Sequence, residues 1–315
     1  AMFVLGISAW YLLKRRDVPF ALRSFAVAAG FGLASTLSVI VLGDESGYTT
    51  GEVQKVKLAA IEAEWETAKP PASFTLFGFP NQKEARTDYA VKIPWAMGLI
   101  ATRSIDTPVI GLTQLRDEHE ENIRRGMLAF AALEKLRGGD TSPAMHAEFD
   151  KYKDDLGYGL LLKKYTPNVV DATPEQIRLA ANDTIPAVAP VFWSFRVMVA
   201  LGFLFLFTFL WAFWLCARRR LLKPRSAWFL RWTVWAIPLP WIAIEFGWIV
   251  AEMGRQPWTI AGVLPTHLSV SSLSATDLYL SLAGFIIFYT ALLIVEMFLM
   301  VKYVKLGPSS LHTGR

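Results

Sequence analysis

Four stretches of the sequence, at about 18–43, 188–217, 226–252 and 276–301, are apolar over roughly the 20 residues that a helix needs to cross a hydrocarbon core of about 30 Å. Such a core offers the backbone no water to bond to, so each stretch is committed to helix before any other residue is considered. The composition agrees. Of 315 residues, 53% are hydrophobic, 12 are Trp and 21 are Phe, and the mean hydropathy is positive, as in an integral membrane protein. A fifth run, AMFVLGISAWYLL at 1–13, covers only about 20 Å at about 1.5 Å per residue. It lacks the charged leader and small-residue cleavage site of a signal peptide and runs into the basic block KRRD. The expectation is a truncated span whose outer half lies upstream, in a larger protein of which this chain is a fragment.

Between the runs at 18–43 and 188–217 lies a polar insertion, 44–187, that holds 22 of the 27 acidic and 17 of the 32 basic residues. Hydrophobic periodicity and end signals predict helices at 54–68, 113–137 and 174–183, and the Pro-rich KPPASFTLFGFP reads as a loop. The expected architecture is therefore all-α: a polytopic membrane helix bundle of four full spans plus one truncated N-terminal span, with a large extracytoplasmic helical and loop insertion. It divides into 1–43, 44–187 and 188–315.

The formal charge of +5 does not indicate nucleic acid, because no phosphate-cradling glycine loop or basic-aromatic interleave accompanies it. Outside the insertion 13 of the 15 Lys and Arg fall at 14–23, at 218–231 and in the tail at Lys302, Lys305 and Arg315. Alternating spans bring all three groups to one face, which the positive-inside rule makes cytoplasmic; the insertion then lies on the opposite side. Cys216 is the only cysteine, so neither a disulfide nor a thiolate metal site can form within the chain.

Two basic residues, Arg196 and Arg255, are not topology signals, and ionisable groups within spans cost about 2.5–3.5 kcal/mol each. In EFGWIVAEMGRQPWTI at 245–260, Glu245, Trp248, Glu252 and Arg255 recur at the spacing of one helical stripe. Glu252 and Arg255 suit an interfacial ion pair worth under about 1 kcal/mol, whereas Glu245 lies about 10 Å deeper. A stripe of carboxylate, indole and guanidinium suggests a buried cofactor or a proton path. In VFWSFRVMVA, Met198 reads first as packing, but Arg196 beside it is a natural partner for carboxylates or anionic cofactor groups, and thioether sulfur can ligate haem iron. The histidines, His119, His146, His267 and His312, are expected in loops or the tail, so a haem with a His ligand would take it from outside this chain. Glu296 in the last run suits either a protonated structural carboxyl or proton transfer. Lys57 and Glu62, on the helix predicted just outside the membrane, read as solvated charges.

The stretches VIVLGDESGY, KLAAIEAEWET, FTLFGFPNQ, ATRSIDTPVIGL, DLGYGLLLKKYTPNV, GWIVAEMGRQPW, GVLPT and LGPSSL occur in this order along the chain. Together they resemble the C-terminal part of subunit I of the cytochrome bd-type quinol oxidases, in the form with a long quinol loop. The resemblance implies that Glu252 ligates a high-spin haem b, with Trp248 packed beside the haems, and that Met198 ligates a low-spin haem b with Arg196 as its electrostatic companion. Glu252, Trp248 and Glu245 become the candidate catalytic group, and Arg255 joins the cofactor-binding residues. Lys57 and Glu62 match residues implicated in quinol oxidation, with Asp44 close by. The histidine ligands of the low-spin haem and of haem d are expected upstream of Ala1, so the fragment alone is expected to be inactive. Also implied are a second oxidase subunit, small single-span accessory subunits, membrane lipid, quinol and O2 as partners, and the bacterial inner membrane as location.

The resemblance further implies quinol oxidation at the outer face and O2 reduction with charge separation but without a dedicated pump. A secondary transporter is the rival reading, since intramembrane carboxylates and a span interrupted by Pro238 and Pro240 also mark substrate paths; a non-catalytic assembly subunit is a third.

Overall fold

The computed structural model of the chain describes residues 1–104, 106–140 and 142–308. His312, Arg315, the end of LGPSSL and Ile105 of ATRSIDTPVIGL lie outside the described residues. In chain order the elements are helices α1 (Met2–Leu13), α2 (Val18–Val53) and α3 (Lys55–Glu62), strands β1 (Phe74–Asn81) and β2 (Arg86–Ile93), and helices α4 (Leu112–Arg137), α5 (Pro143–Tyr152), α6 (Leu156–Leu160), α7 (Pro174–Asp183) and α8 (Val188–Ala217). Helices α9 (Ala227–Trp235) and α10 (Leu239–Gly254), strands β3 (Trp258–Ile260) and β4 (Leu264–Pro265) and helix α11 (Ala275–Leu306) complete the order.

The helical membrane architecture expected from the apolar runs is present. Three stretches are long and apolar enough to cross a membrane, Val18–Val53, Pro174–Ala217 and Ala275–Leu306, and α9 with α10 makes a fourth if the pair is one broken span. The run at 226–252 is thus not a continuous helix. Pro238 and Pro240 lack the N–H that a helix interior requires, and α9 ends at Trp235 before α10 begins at Leu239.

Four further expectations need correction. α2 does not stop near residue 43 but continues to Val53, helped by Thr49 and Thr50, whose hydroxyls donate to the carbonyls of Glu45 and Ser46 one turn back. The helix predicted at 54–68 ends at Glu62, because Ala63 takes a left-handed conformation with φ of 50°. FTLFGFP is not loop but strand: it pairs antiparallel with β2, as its aromatic and Thr content favours. Finally, His119 and His146 lie on α4 and α5 rather than in loops. The predicted helices at 113–137 and 174–183 agree with α4 and α7, the latter opened by a capping box between Thr173 and Gln176.

Contacts divide the chain into two compact units. One comprises Ala1–Ala34, Phe207–Pro238 and Val270–Arg315. Here α1 lies so close to α9 that a β-carbon on Gly6 would strike the Thr233 carbonyl and Ile237, and Gly32 of α2 lies under the Phe209 ring. The Tyr11 hydroxyl donates to the Val304 carbonyl at 2.5 Å, and Arg16 donates to the carbonyls of Lys305 and Leu306. No side chain of α11 is buried among the described residues.

The other unit comprises Ser35–Leu206 and Leu239–Ser269. One core joins α3, α4, α8 and α10 through Ala60, Ile61, Leu115, Val191, Phe192 and Val250. A second joins α4 and α7 through Ile123, Phe130, Ile177 and Ala181, with Trp258 contributed by β3. Gly126 of α4 faces Gly159 of α6 so closely that a β-carbon on either would overlap the other's backbone; only glycine permits that approach.

Candidate functional site

All the site residues named from the sequence fall in the second unit, but they form separate groups there. The first is built by α3, β1 and α8. Arg196 sits two turns into α8, and its guanidinium meets the carboxylate of Glu62 at 3.1 Å. It also donates to the carbonyls of Ile61 at 2.6 Å, Phe192 at 3.1 Å and Thr75 at 3.1 Å, and its central carbon stands 3.4 Å from the Phe192 ring centroid. Glu62 is only 3% exposed, so it is not the solvated charge read from the sequence. Burial pushes its carboxyl up to about 7, even though Arg196 pulls the other way. Glu64 nearby is raised too, again by burial, with Lys92 opposing.

The second group forms where α10 ends. The Glu252 carboxylate receives two bonds from Arg255, from Nη2 at 2.5 Å and Nε at 2.9 Å, and both go to Oε2. Arg255 also donates to the carbonyls of Trp258 and Thr259, which folds GRQPW back on the helix end. Across from it, Lys57 of α3 lays its stem over Gly254, where a β-carbon would come within 2.9 Å of Cγ. Burial lowers the Lys57 ammonium, Arg255 lowers it further and Glu252 partly restores it. Lys57 and Arg255 line a cleft of about 280 Å³ with Gln54, His119 and Tyr158. Gln54 Oε1 is buried there without a partner among the described residues. His119 is held neutral by burial, its value lowered to about 4. The Thr184 hydroxyl gives its proton to the Ala181 carbonyl at 2.6 Å, so the 2.9 Å contact with His119 has Nδ1–H as donor, leaving Nε2 as an acceptor.

Lys57 and Glu62 therefore point to different partners, as a five-residue separation on a helix requires. Asp44 belongs to neither group: it is 3.4 Å from Arg103, which also binds Glu45 at 2.5 Å and covers the Tyr48 ring at 4.3 Å. Met198 lies two residues beyond Arg196 and so on the opposite side of α8. Its sulfur reaches α10, 3.2 Å from where a β-carbon on Gly247 would stand. Trp248 is 63% exposed, and Glu245 is exposed with no hydrogen bond or ion pair among the described residues.

Two of these side chains suit an axial ligand of haem iron. Met198 offers a thioether sulfur beside a glycine that leaves the space next to it open. Glu252 offers Oε1, since Arg255 holds only Oε2. Gly247, against which Met198 packs, and Glu252 are five residues apart on α10, about 7.5 Å along its axis, and so lie on different faces of that helix. The described residues contain no group of three or more His, Cys, Asp or Glu that could hold a metal ion by themselves.

Sequence reasoning singled out both members of the Glu62–Arg196 pair but did not join them, and it missed Gln54, the Thr75 carbonyl and the His119–Thr184 pair. An arginine in an apolar run with no topological role was the one available signal.

The chain is 43% identical over 313 residues to cytochrome bd-II ubiquinol oxidase subunit 1 of Escherichia coli (strain K12), a match covering 99% of this chain and 60% of that protein. It is 30% identical over 308 residues to cytochrome bd ubiquinol oxidase subunit 1 of Bacillus subtilis (strain 168), covering 98% of this chain and 53% of that protein. A putative cytochrome bd menaquinol oxidase subunit I of the same Bacillus strain is 24% identical over 314 residues. The chain thus spans little more than half the length of these relatives. Nothing in the comparisons favours the transporter reading. The model of the family described as cytochrome bd terminal oxidase subunit I matches residues 1–308, and the chain belongs to that family.

Proposed function

We propose that this chain forms the C-terminal part of a haem-bearing subunit that oxidises quinol at the outer membrane face and delivers electrons to O2. The observation that carries the reading, within the family match, is the Glu252–Arg255 geometry: one carboxylate oxygen is fixed by two charge-assisted bonds while the other stays open to a metal. Glu252 would hold the high-spin haem b and Met198 the low-spin haem b, with the remaining ligands, including that of haem d, coming from outside this chain. When bound, these groups supply the one-electron chemistry that side chains lack. Trp248 would pack beside them, and Glu245 is assigned with Trp248 and Glu252 to the catalytic group.

The chain's own residues handle protons and position. Glu62, with a carboxyl near 7, is suited to accept a proton from a quinol hydroxyl, because proton transfer is most effective when the acceptor titrates near ambient pH. Arg196 holds that carboxylate in place. Lys57, turned into the cleft beside Arg255, would hold an oxygen of the quinol, and Asp44, paired with Arg103 away from that cleft, would contribute to quinol binding from a separate place. A second oxidase subunit and small single-span subunits would complete the complex. By the positive-inside rule the basic clusters would put the C-terminus in the cytoplasm and 44–187 on the periplasmic side of the inner membrane. Protons consumed in reducing O2 would then cross from the cytoplasm, each charge moved being worth about 2.3 kcal/mol per 100 mV.

A reduced-minus-oxidised absorption spectrum of the assembled complex tests this. Haem bands bleached or shifted by substitution at Met198 or Glu252 are expected; a colourless complex would refute it.

A further inference from the structure

Side chains alternate between the two faces of a strand, so a ribbon in water keeps one face polar. β1 and β2 break this rule. Register slips between Thr75 and Phe77 and between Phe77 and Phe79 interrupt the alternation, and Leu76, Phe77 and Phe79 all emerge, 41–51% exposed. From β2, Tyr89 is 83% and Val91 54% exposed, and Trp95 just beyond the strand is 61% exposed. Nothing in the site described above uses these side chains.

Ring packing and hydrogen bonds fix the ribbon against α8, among them one from the Val188 backbone N–H to Gln82 Oε1 in the turn. The rings of Phe77 and Phe79 lie 5.2 and 5.9 Å from the indole of Trp193, and the Thr75 carbonyl is held by Arg196. Trp193 and Arg196 stand about 8 and 12 Å from the start of α8 at about 1.5 Å per residue, and from Val197 on the sequence carries no charged residue before Arg218. Indole and guanidinium groups at the head of a span mark the boundary between lipid and water. Further along the same helix Phe203 is 63% exposed, so both the ribbon and the span it packs on present apolar side chains outward.

We propose that the hairpin at 74–93 lies in the interfacial layer of the bilayer, beside the N-terminal end of α8, with its exposed apolar side chains among the lipid acyl chains. Lipid is favoured over a protein partner by the packing of the hairpin directly on the head of the span and by Tyr89 and Trp95, whose amphipathic rings suit the head-group level. The inference needs α8 to be a membrane span; it needs neither haem nor quinol.

The test uses the full-length subunit in its assembled complex, in lipid nanodiscs, with Cys216→Ser and with any thiols outside this chain replaced likewise. Nitroxides are attached at Phe79→Cys and Tyr89→Cys, with Phe203→Cys on α8 as a lipid reference and Ala147→Cys on α5, exposed in the polar region, as a water reference. Collision with O2, which concentrates in lipid, is compared with collision with a water-soluble nickel chelate. The O2-to-nickel ratio at positions 79 and 89 is expected to be several-fold above that at 147 and to approach that at 203. A ratio like that at 147 would overturn the proposal, as would low access to both reagents, the mark of a covering protein. A water-like signal at 203 would instead remove the span on which the proposal stands. If the Phe79 variant fails to assemble, Tyr89, which packs on little, carries the test.

Discussion

Arg196 and Glu62, 134 residues apart in the chain, meet at 3.1 Å with both side chains nearly shielded from water. A buried ion pair earns little net stability because each charge loses its hydration, yet removing one partner strands the other and costs about 3–5 kcal/mol. Arg196→Leu should therefore destabilise the subunit by about that much, and Arg196→Leu combined with Glu62→Leu by less than the sum of the single changes. Thermal denaturation of the four proteins in one detergent measures the coupling; additive effects would show that the pair acts as two independent residues.

Acid and base should act on the same pair in a definite sense. The Glu62 carboxyl titrates at about 7 when folded against an ordinary 4.5, chiefly because it is buried. Folding thus binds a proton: the contribution of this group to stability is full below about 4.5 and is lost as pH rises through about 7. In a pH series of melting temperatures, Glu62→Gln should flatten the decline over that window. Infrared difference spectroscopy should find a carboxyl band with a midpoint near 7 that vanishes in the same variant.

Met198→Leu keeps volume and removes the thioether. It should abolish or shift the low-spin haem signal in a redox titration and leave the other haem bands in place; an unchanged titration rules out ligation by Met198.

For Glu252, alanine and glutamine separate two roles. Glu252→Ala removes both oxygens and should perturb the high-spin haem spectrum and O2 turnover. Glu252→Gln keeps a donor of the same shape but weakens the bonds from Arg255, each charge-assisted bond being roughly twice as strong as a neutral one; it should give a smaller spectral change. Identical spectra for both variants and the parent would count against iron ligation.

Between α4 and α6 a purely steric prediction applies. Gly126→Val places side-chain atoms in the backbone of Gly159, and overpacking of this kind costs about 1–3 kcal/mol or more. Limited proteolysis should cut the insertion faster in the variant, while the spectral signatures of Met198 and Glu252 persist.

The features legible in the sequence were those written in local spacing. Glu252 and Arg255 are three residues apart and had to share a helix face, and α7 announced itself with Thr173, Pro174 and Gln176. The Pro238 break was visible as an interruption but not as two helices, since proline disfavours a continuous turn without dictating where the next helix begins. The hairpin was hidden because KPPAS set the expectation of loop for the FTLFGFP that follows, and its partner strand lies beyond a turn with no strong signature. Least legible were contacts between distant segments: the Met198 sulfur over Gly247, Lys57 over Gly254, and Arg196 on Glu62. In each case composition fixed what the side chain needed, and only tertiary packing decided what supplied it.

Three of the groups that hold Arg196, at Ile61, Thr75 and Phe192, are main-chain carbonyls, which every amino acid presents alike. The identities of residues 61 and 75 are therefore not read by the guanidinium, and mutagenesis there can proceed as far as their own packing allows without releasing the anchor. Glu62, through its carboxylate, and Phe192, through the ring 3.4 Å from the guanidinium carbon, are recognised by their side chains, so the intolerance of this region to change is concentrated at those two positions.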